Sequence, residues 1–213
     1  RLRKGLNLLG IKTPCKVVPN VVDTHVFAEK KNANNVKSFL HISSLTYMKN
    51  IPSLLNVFLD VHREGYDFEL SVGGNGDLKP IIAFITEHQL GDKIKYFGVL
   101  SHNEVAQKMR MHDAFVLFSK YENQPCVISE SMSSGLYVLS SDVGGISEFF
   151  PENFGILVEK DNEEQLRKAI INYIENKSKV ASYHEMHKYA VDTFGKEAIA
   201  AEYEKSYHEI LRT

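Results

Sequence analysis

Residues 114–119 read AFVLFS, a run in which both the odd and the even positions are apolar. A strand with one face in water alternates apolar and polar side chains, whereas a strand covered on both faces does not. The run therefore predicts a central strand of a parallel sheet, with helices packed on both faces of that sheet.

Short apolar runs alternate with segments of helical period from Lys37 onward, which is typical of a sheet built from β-α-β units. The predicted fold class is α/β, with one doubly wound, Rossmann-like domain over residues 1–213. The predicted strands are residues 38–43, 68–74, 93–98, 114–119, 137–141 and 155–159.

Helix-start signals fall between these strands. Asn50 precedes an apolar helical face and is the predicted N-cap of that helix. Ser101 with Glu104, and Asp161 with Glu164, have the spacing of capping boxes. Further helical segments are predicted in residues 1–10, 179–192 and 196–211.

The composition is that of an ordinary globular protein, with 43% hydrophobic and 24% charged residues. A net charge of −2 gives no electrostatic reason to expect nucleic acid or an anionic membrane surface as a partner. Cys15 and Cys126 show no disulfide pattern, which favours a reducing, cytoplasmic compartment. We interpret Cys126 as a buried or loop thiol rather than a nucleophile, because no base stands beside it in sequence.

In open sheets of this kind, ligands bind beyond the carboxyl ends of the strands. The first predicted strand is followed by Ser44 and Lys49, and the second ends at Gly74. The third strand ends at Gly98, and Glu122 follows the buried fourth strand. Charged and glycine residues are therefore expected to meet at one edge of the sheet.

The segment YENQPCVISESMSSG, residues 121–135, carries the clearest chemistry. Glu122 lies in the loop after the fourth strand, and Glu130 lies in the helix that starts near Pro125. The N–H groups of a helix N-terminus attract anions such as phosphate. Two carboxylates beside such a terminus can hold sugar hydroxyls, although a pair of solvated surface charges is the alternative interpretation.

This E-x7-E motif, followed by a small-residue helix ending at Gly135, resembles glycosyltransferase family 4, a family of retaining enzymes with the GT-B fold of two facing Rossmann-like domains. Further segments resemble the family in order: VVPNVVD (17–23, the opening strand), HISSLTYMKN (41–50), SVGGNGD (71–77), IKYFG (94–98), DVGGISE (142–148) and FGILVEKDN (154–162). The resemblance implies that residues 1–213 are the C-terminal donor-binding domain. It also implies that the N-terminal acceptor domain of the same polypeptide, through which any membrane contact is expected, lies outside this chain.

The resemblance also assigns roles to residues. Glu122 would lie beside the donor sugar as the catalytic residue, Glu130 would hold the ribose hydroxyls, and Lys49 would neutralise the diphosphate. The backbone at residues 98–100 would frame the base, and the amides at residues 125–127 would face the diphosphate or the sugar. The full set of expected donor-binding residues is Ser44, Lys49, Gly74, Gly98, Val99, Leu100, Pro125, Cys126, Val127 and Glu130.

The sequence offers a lysine and a helix N-terminus to the phosphates, and it has no DxD motif near a strand end. His184 and His187 lie three residues apart on a polar helix, where solvated side chains are the simpler interpretation. We therefore expect no metal and no cofactor, with the nucleotide sugar as substrate.

Three positions depart from the family pattern: Ser44 replaces an arginine, Tyr137 a proline and Val21 a glycine. Loss of the arginine removes one guanidinium from the phosphate site, which leaves a binding module without turnover as an alternative. A sugar-nucleotide epimerase of GT-B architecture is another alternative. A glycoside hydrolase is less consistent with the helix N-terminus, and a dinucleotide site with the incomplete glycine pattern at residues 73–76.

Overall fold

The computed structural model describes residues 2–13, 15–30 and 37–211, and six strands of this part of the chain form one sheet. Neighbouring strands pair in parallel throughout, in the order β3-β2-β1-β4-β5-β6. The predicted doubly wound α/β fold is confirmed, and each predicted strand is present within two residues at either end. The strands are β1 (Ser38–Ser43), β2 (Glu69–Gly74), β3 (Ile94–Phe97), β4 (Ala114–Leu117), β5 (Tyr137–Ser141) and β6 (Gly155–Val158).

Helices connect the strands and cover both faces of the sheet. Short 3₁₀ turns at Tyr47–Lys49 and Ile146–Phe149 follow β1 and β5. The helices of the described residues are α1 (Leu2–Leu8), α2 (Ile51–Arg63), α3 (Lys79–Glu87), α4 (His102–Met111), α5 (Cys126–Ser133), α6 (Glu163–Ile174), α7 (Tyr183–Phe194) and α8 (Lys196–Leu211).

Strand β4 contributes to two separate hydrophobic cores. Ala114 and Val116 pack in the core that includes α2, α3 and α6, and Phe118 just beyond the strand joins them. Phe115 and Leu117 pack in the core that includes α4, α5 and α7. The prediction that this strand is covered on both faces is confirmed.

The helix N-termini confirm one predicted capping box and correct another. Ser101 accepts a hydrogen bond from Glu104 N, and the Glu104 side chain accepts from Ser101 N, as predicted. The prediction for Asp161 and Glu164 is wrong, because the cap is Asn162, whose side chain accepts from Gln165 N at 3.0 Å. Asp161 adopts a φ of 58° and pairs with a lysine instead.

Asn50 occupies the N-cap position of α2 but does not cap it with its side chain. Its backbone is left-handed, with a φ of 53°, so the side chain points away from the first turn. Its amide donates to Asp161 Oδ1 at 3.4 Å.

Residues 17–23 form no strand, so the predicted opening strand is wrong. The backbone hydrogen bonds of this segment go to other partners: Val22 N donates to Phe194 O at 2.8 Å. Asn20 N donates to Gln124 Oε1 at 2.9 Å, and Asn20 Nδ2 donates to Gln124 O at 2.9 Å. The segment therefore ties the end of α7 to the loop after β4.

A buried ion pair lies at the opposite edge of the sheet, where β1 and β4 begin. Lys30 Nζ is 2.6 Å from Asp113 Oδ1, and Ser38 Oγ donates to Asp113 Oδ2 at 2.8 Å. Burial alone would raise the pKa of Asp113, but the bonds from Lys30 and Ser38 outweigh burial and lower that pKa. The ion pair fixes the segment before β1 against the start of β4.

At the carboxyl end of the same two strands, the fully buried His41 joins β1 to β4. His41 Nδ1 lies 2.8 Å from Val116 O, and His41 Nε2 lies 2.8 Å from Ser43 Oγ. A carbonyl only accepts, so Nδ1 carries the hydrogen and Nε2 accepts from the Ser43 hydroxyl. Ser43 Oγ in turn accepts from Leu45 N at 3.2 Å, within the turn that leads to Lys49. The neutral imidazole therefore holds this turn in place.

We predict that His41 makes stability depend on pH. Burial lowers the pKa of His41 from 6.5 to about 4, and nearby Lys49 adds to this effect. Between these values the unfolded chain binds a proton that the folded chain does not, so stability is complete above pH 6.5 and falls as pH decreases toward 4. Urea unfolding at pH 7 and 4.5 should show about 2 kcal/mol more loss in the wild type than in His41→Gln. Equal losses would contradict the prediction; the second buried histidine with a lowered pKa, His112, is present in both proteins.

Candidate functional site

The carboxyl edge of the sheet is divided where β1 and β4 lie side by side. The chain leaves β1 toward β2 and leaves β4 toward β5, on opposite sides. The paired residues of the two strands are Phe39 with Ala114 and Leu40 with Phe115. Loops that part in this way leave a crevice, and open α/β sheets bind ligands in such crevices.

Lys49 and Glu122 meet in this crevice, as expected from their positions after β1 and β4. Lys49 Nζ is 2.5 Å from Glu122 Oε1, and Ser119 Oγ donates to the same oxygen at 2.7 Å. The exposed fraction is 20% for the Lys49 side chain and 8% for Glu122. The carboxylate is therefore held in one orientation, with the ammonium partly open to solvent.

Backbone contacts hold the loop of Glu122 from two sides. Lys120 N donates to Met48 O at 2.8 Å, which joins this loop to the 3₁₀ turn that carries Lys49. Gly145 N donates to Asn123 O at 2.7 Å. Gly144 has a φ of +59°, and a Cβ added there would lie 1.9 Å from Glu122 O. Only glycine fits this close approach.

Gly74 has a similar role at the neighbouring loop. Its φ is +131°, and an added Cβ would lie 1.9 Å from Ser43 O. Asn75 N donates to the same carbonyl at 3.1 Å. At Gly98, by contrast, an added Cβ would meet nothing within 4 Å, so packing gives no reason for a glycine there. Ser44 and Val99 are exposed at the same edge.

Helix α5 begins at this edge, with Pro125 in the N-cap position and Cys126 and Val127 as its first two residues. Proline offers no side-chain oxygen to the first turn, so these amides are available to a ligand. Cys126 is exposed, which corrects the expectation of a buried or loop thiol. Desolvation and then the Glu130 carboxylate raise the pKa of this thiol, which disfavours the nucleophilic thiolate.

Glu130, farther along α5, has a different partner. His102 Nε2, on the first residue of α4, lies 3.7 Å from Glu130 Oε1. Burial raises the pKa of Glu130, and His102 opposes that rise. Sequence reasoning missed His102, although its place directly after the predicted cap Ser101 at the ligand edge was a usable signal. Ser119, which fixes Glu122, was missed because a serine at a strand end is common.

Among the described residues, no group of three or more His, Cys, Asp or Glu side chains is arranged to hold a metal ion. His187 Nδ1 lies 2.6 Å from Ser133 O, and His184 Nδ1 lies 3.5 Å from Glu29 Oε2. The two histidines thus contact different groups. In the same part of the chain, no helix is long and apolar enough to cross a membrane.

Comparison with known protein families identifies the chain once this geometry is established. The model of the family described as "Glycosyl transferases group 1" matches residues 23–192, which is most of the chain. The chain belongs to the group 1 glycosyl transferases. Its expected resemblance to glycosyltransferases is therefore confirmed at the level of this family.

Curated relatives of this glycosyl transferase chain include one component of phosphatidylinositol N-acetylglucosaminyltransferase, found in several organisms. The Arabidopsis thaliana protein is 30% identical over 171 residues, covering 78% of the chain and 37% of the relative. The Homo sapiens protein is 33% identical over 159 residues, covering 72% and 33%. The chain thus spans about a third of the length of these relatives.

Solved structures share the fold at low identity. Sucrose-phosphate synthase from Thermosynechococcus elongatus has a TM-score of 0.83 at 20% identity, covering 99% of this chain and 56% of that protein. The lipopolysaccharide outer core galactosyltransferase WaaB has a TM-score of 0.83 at 19% identity, covering 98% and 59%. The Rossmann-like architecture of these glycosyltransferases is therefore also that of this chain.

We predict that Gly144→Ala destabilises the protein by about 2–4 kcal/mol, because the added methyl group meets the Glu122 carbonyl and the φ is unfavourable for alanine. Gly98→Ala is the matched control and should change stability by less than about 0.5 kcal/mol, since its methyl group meets no neighbour. Urea unfolding of both variants measures the difference. Similar stability of the two variants would contradict this account of the Glu122 loop.

Proposed function

We propose that this chain is the donor-binding domain of a retaining glycosyltransferase, which transfers a sugar from a nucleoside diphosphate sugar to an acceptor. The observation that carries the proposal is the contact of Lys49 with Glu122 at 2.5 Å, in the crevice between β1 and β4. A cation and a carboxylate at this place suit a substrate with an anionic leaving group and a hydroxyl-rich sugar.

The leaving group is a nucleoside diphosphate, so the transition state gathers negative charge on phosphate oxygens. Lys49 and the N-terminal amides of α5, at residues 125–127, would stabilise that charge. Fixed donors aimed at developing charge are worth about 3–4 kcal/mol each in related oxyanion sites. We propose that this arrangement works without a metal ion or a cofactor.

Glu122 would act on the sugar ring, and its fixed position supports that role. Lys49 and Ser119 hold one oxygen of its carboxylate, and the loop is clamped on both sides. When a diphosphate binds, Lys49 would lie between two anions, the carboxylate and the phosphate. Hydrogen bonds from sugar hydroxyls to Glu122 would strengthen as positive charge develops on the ring.

Glu130 would accept hydrogen bonds from the ribose hydroxyls, farther along α5, and Gly98, Val99 and Leu100 would frame the base. Gly74 would allow the loop after β2 to lie close to the phosphate site. Ser44, where the family pattern has arginine, would leave Lys49 as the main cation of this domain. Lys120 at the same edge is paired with Asp161 at 2.7 Å.

Names of related proteins suggest the donor to test first. Relatives from Arabidopsis, humans and Bacillus anthracis are named as transferring or carrying N-acetylglucosamine. Structures with the same fold are titled as complexes with UDP, among them Anabaena HepE and the pneumococcal transferase GtfA with UDP and GlcNAc. We therefore propose UDP-N-acetylglucosamine as the donor.

The acceptors in the relatives' names differ widely, from phosphatidylinositol to L-malate and an undecaprenyl diphosphate glycan. We infer that the acceptor is selected by an N-terminal domain of the longer polypeptide, in glycan or polysaccharide synthesis. Free thiols at Cys15 and Cys126 support a cytoplasmic location. A binding module without turnover is the second candidate, and the absence of the expected arginine at Ser44 favours it.

The proposal predicts that Lys49→Ala weakens UDP binding by about 10- to 100-fold, the value of a lost charged hydrogen bond, and leaves uridine binding unchanged. Lys93→Ala is the control, because Lys93 forms a similar pair with Asp67 at 2.6 Å but lies beside the amino end of β3. Calorimetry with both ligands measures the effect. Equal losses of UDP and uridine affinity in the Lys49 variant would contradict the phosphate role.

Glu122→Gln in the full-length enzyme should lower kcat at least ~100-fold, within the range for a lost electrostatic stabiliser. Its UDP affinity should equal or exceed that of the wild type, because the neutral amide holds the Lys49 ammonium less strongly. Steady-state kinetics, UDP calorimetry and a melting curve on this variant separate the possible outcomes. Normal turnover would exclude a catalytic role, and joint loss of turnover, affinity and melting temperature would indicate a structural one.

A further inference from the structure

A second pair of ionisable side chains lies at the ligand edge, and the roles given above leave one member of it unused. His102 Nε2 is 3.7 Å from Glu130 Oε1, although the two residues belong to different helices. The exposed fraction is 59% for the His102 side chain and 17% for Glu130. The imidazole is thus open to solvent, while the carboxylate beside it is largely covered.

Two contacts fix the place of the imidazole. The ring of buried Phe27 meets the His102 ring edge to face, with centroids 4.7 Å apart. The capping box of Ser101 and Glu104 sets the start of α4 at His102. Glu104 accepts hydrogen bonds from Ser101 N and Oγ at 2.7 Å each, so this acidic side chain is engaged at the cap.

We infer that His102 is a positioning residue of the donor site: it holds the Glu130 carboxylate in place and, when protonated, keeps that carboxylate ionised, so that the ribose diol remains bound in mildly acidic solution. The inference rests on the proposed ribose role of Glu130. It adds a residue and a pH dependence that this role alone does not contain.

The physical reason lies in the surroundings of Glu130. Burial raises the pKa of Glu130, and the carboxyl group loses acceptor capacity when it is protonated. Two adjacent ribose hydroxyls that donate to one carboxylate need both of its oxygens as acceptors. His102 on α4 is the neighbouring cation, and the Cys126 thiol on α5, whose pKa is raised, adds no charge near neutrality.

The sign of the effect follows from the two titrations. Above neutral pH, His102 is neutral and Glu130 is ionised with or without it, so replacing His102 leaves affinity there nearly unchanged. As pH falls, the wild-type imidazole gains a positive charge and opposes protonation of Glu130. A variant without that charge loses ribose binding at a higher pH.

The experiment compares UDP and 2′-deoxy-UDP binding from pH 5 to 8, by calorimetry on this chain. The variants are His102→Gln, which removes the charge, and His102→Lys, which keeps a cation. We expect UDP affinity to fall at least ~3-fold more between pH 8 and pH 5 in the Gln variant than in the wild type, with the Lys variant like the wild type. 2′-Deoxy-UDP should show a smaller difference, and titration of the UDP phosphate is common to all three proteins.

Identical acid limbs in the three proteins would overturn the inference. Equal weakening of the Gln variant at every pH would also overturn it, because that result indicates a purely structural role. The pair itself is tested without ligand by following the His102 ring signals by NMR. The His102 pKa should be at least ~0.3 higher in the wild type than in Glu130→Gln.

The ligand-free titration separates failure of this inference from failure of the proposed function. If the His102 pKa depends on Glu130 but UDP does not bind, the proposed donor is wrong and the inference falls with it. If UDP binds and Glu130→Gln loses preference for ribose over deoxyribose, while the His102 variants keep wild-type pH profiles, the function stands and only the role of His102 is wrong.

Discussion

The parting of β1 and β4 is the constraint on which the ligand edge depends. These strands lie side by side, but their connections run to opposite sides of the sheet, so the loops that follow them diverge. His41 bridges the two strands at this point, through hydrogen bonds to Val116 O and to Ser43 Oγ. At the other end of the same strands, Lys30 and Asp113 form the buried ion pair. Both ends of the β1–β4 contact are thus fixed by polar side chains, and the crevice between the loops keeps its shape.

The apolar pattern of residues 114–119 was sufficient to predict the central strand, since both of its faces are buried. Alternation of strands and helices then placed Lys49 and Glu122 at the same edge, and the structure brings them into contact. Other features depend on packing that sequence does not show. Asp161 and Asn162 are both good capping residues, and the backbone turn at Asp161 decides between them. His102 meets Glu130 only because α4 and α5 lie on the same face of the sheet, which local patterns cannot reveal.

The carboxylates of the ligand edge differ in their surroundings, and this difference supports distinct roles. Glu122 is bound by an ammonium and a hydroxyl and is held by a tightly packed glycine loop. Glu130 has only the more distant imidazole as a cationic neighbour, and burial raises its pKa. The first is suited to contact a reacting centre in a fixed orientation. The second is suited to grip neutral hydroxyl groups of the nucleoside.

The pairing of Lys49 with Glu122 also bears on how fast an anionic donor would reach the site. A positive cleft attracts anions over several ångströms and raises association rates, and this attraction weakens with salt. Here the ammonium of Lys49 is already matched by a carboxylate, and Lys120 is matched by Asp161, while the chain carries a net charge of −2. The domain therefore offers little long-range attraction. Capture of the donor would depend on ordinary diffusion and show little sensitivity to ionic strength, and discrimination among donors would lie mainly in their dissociation rates.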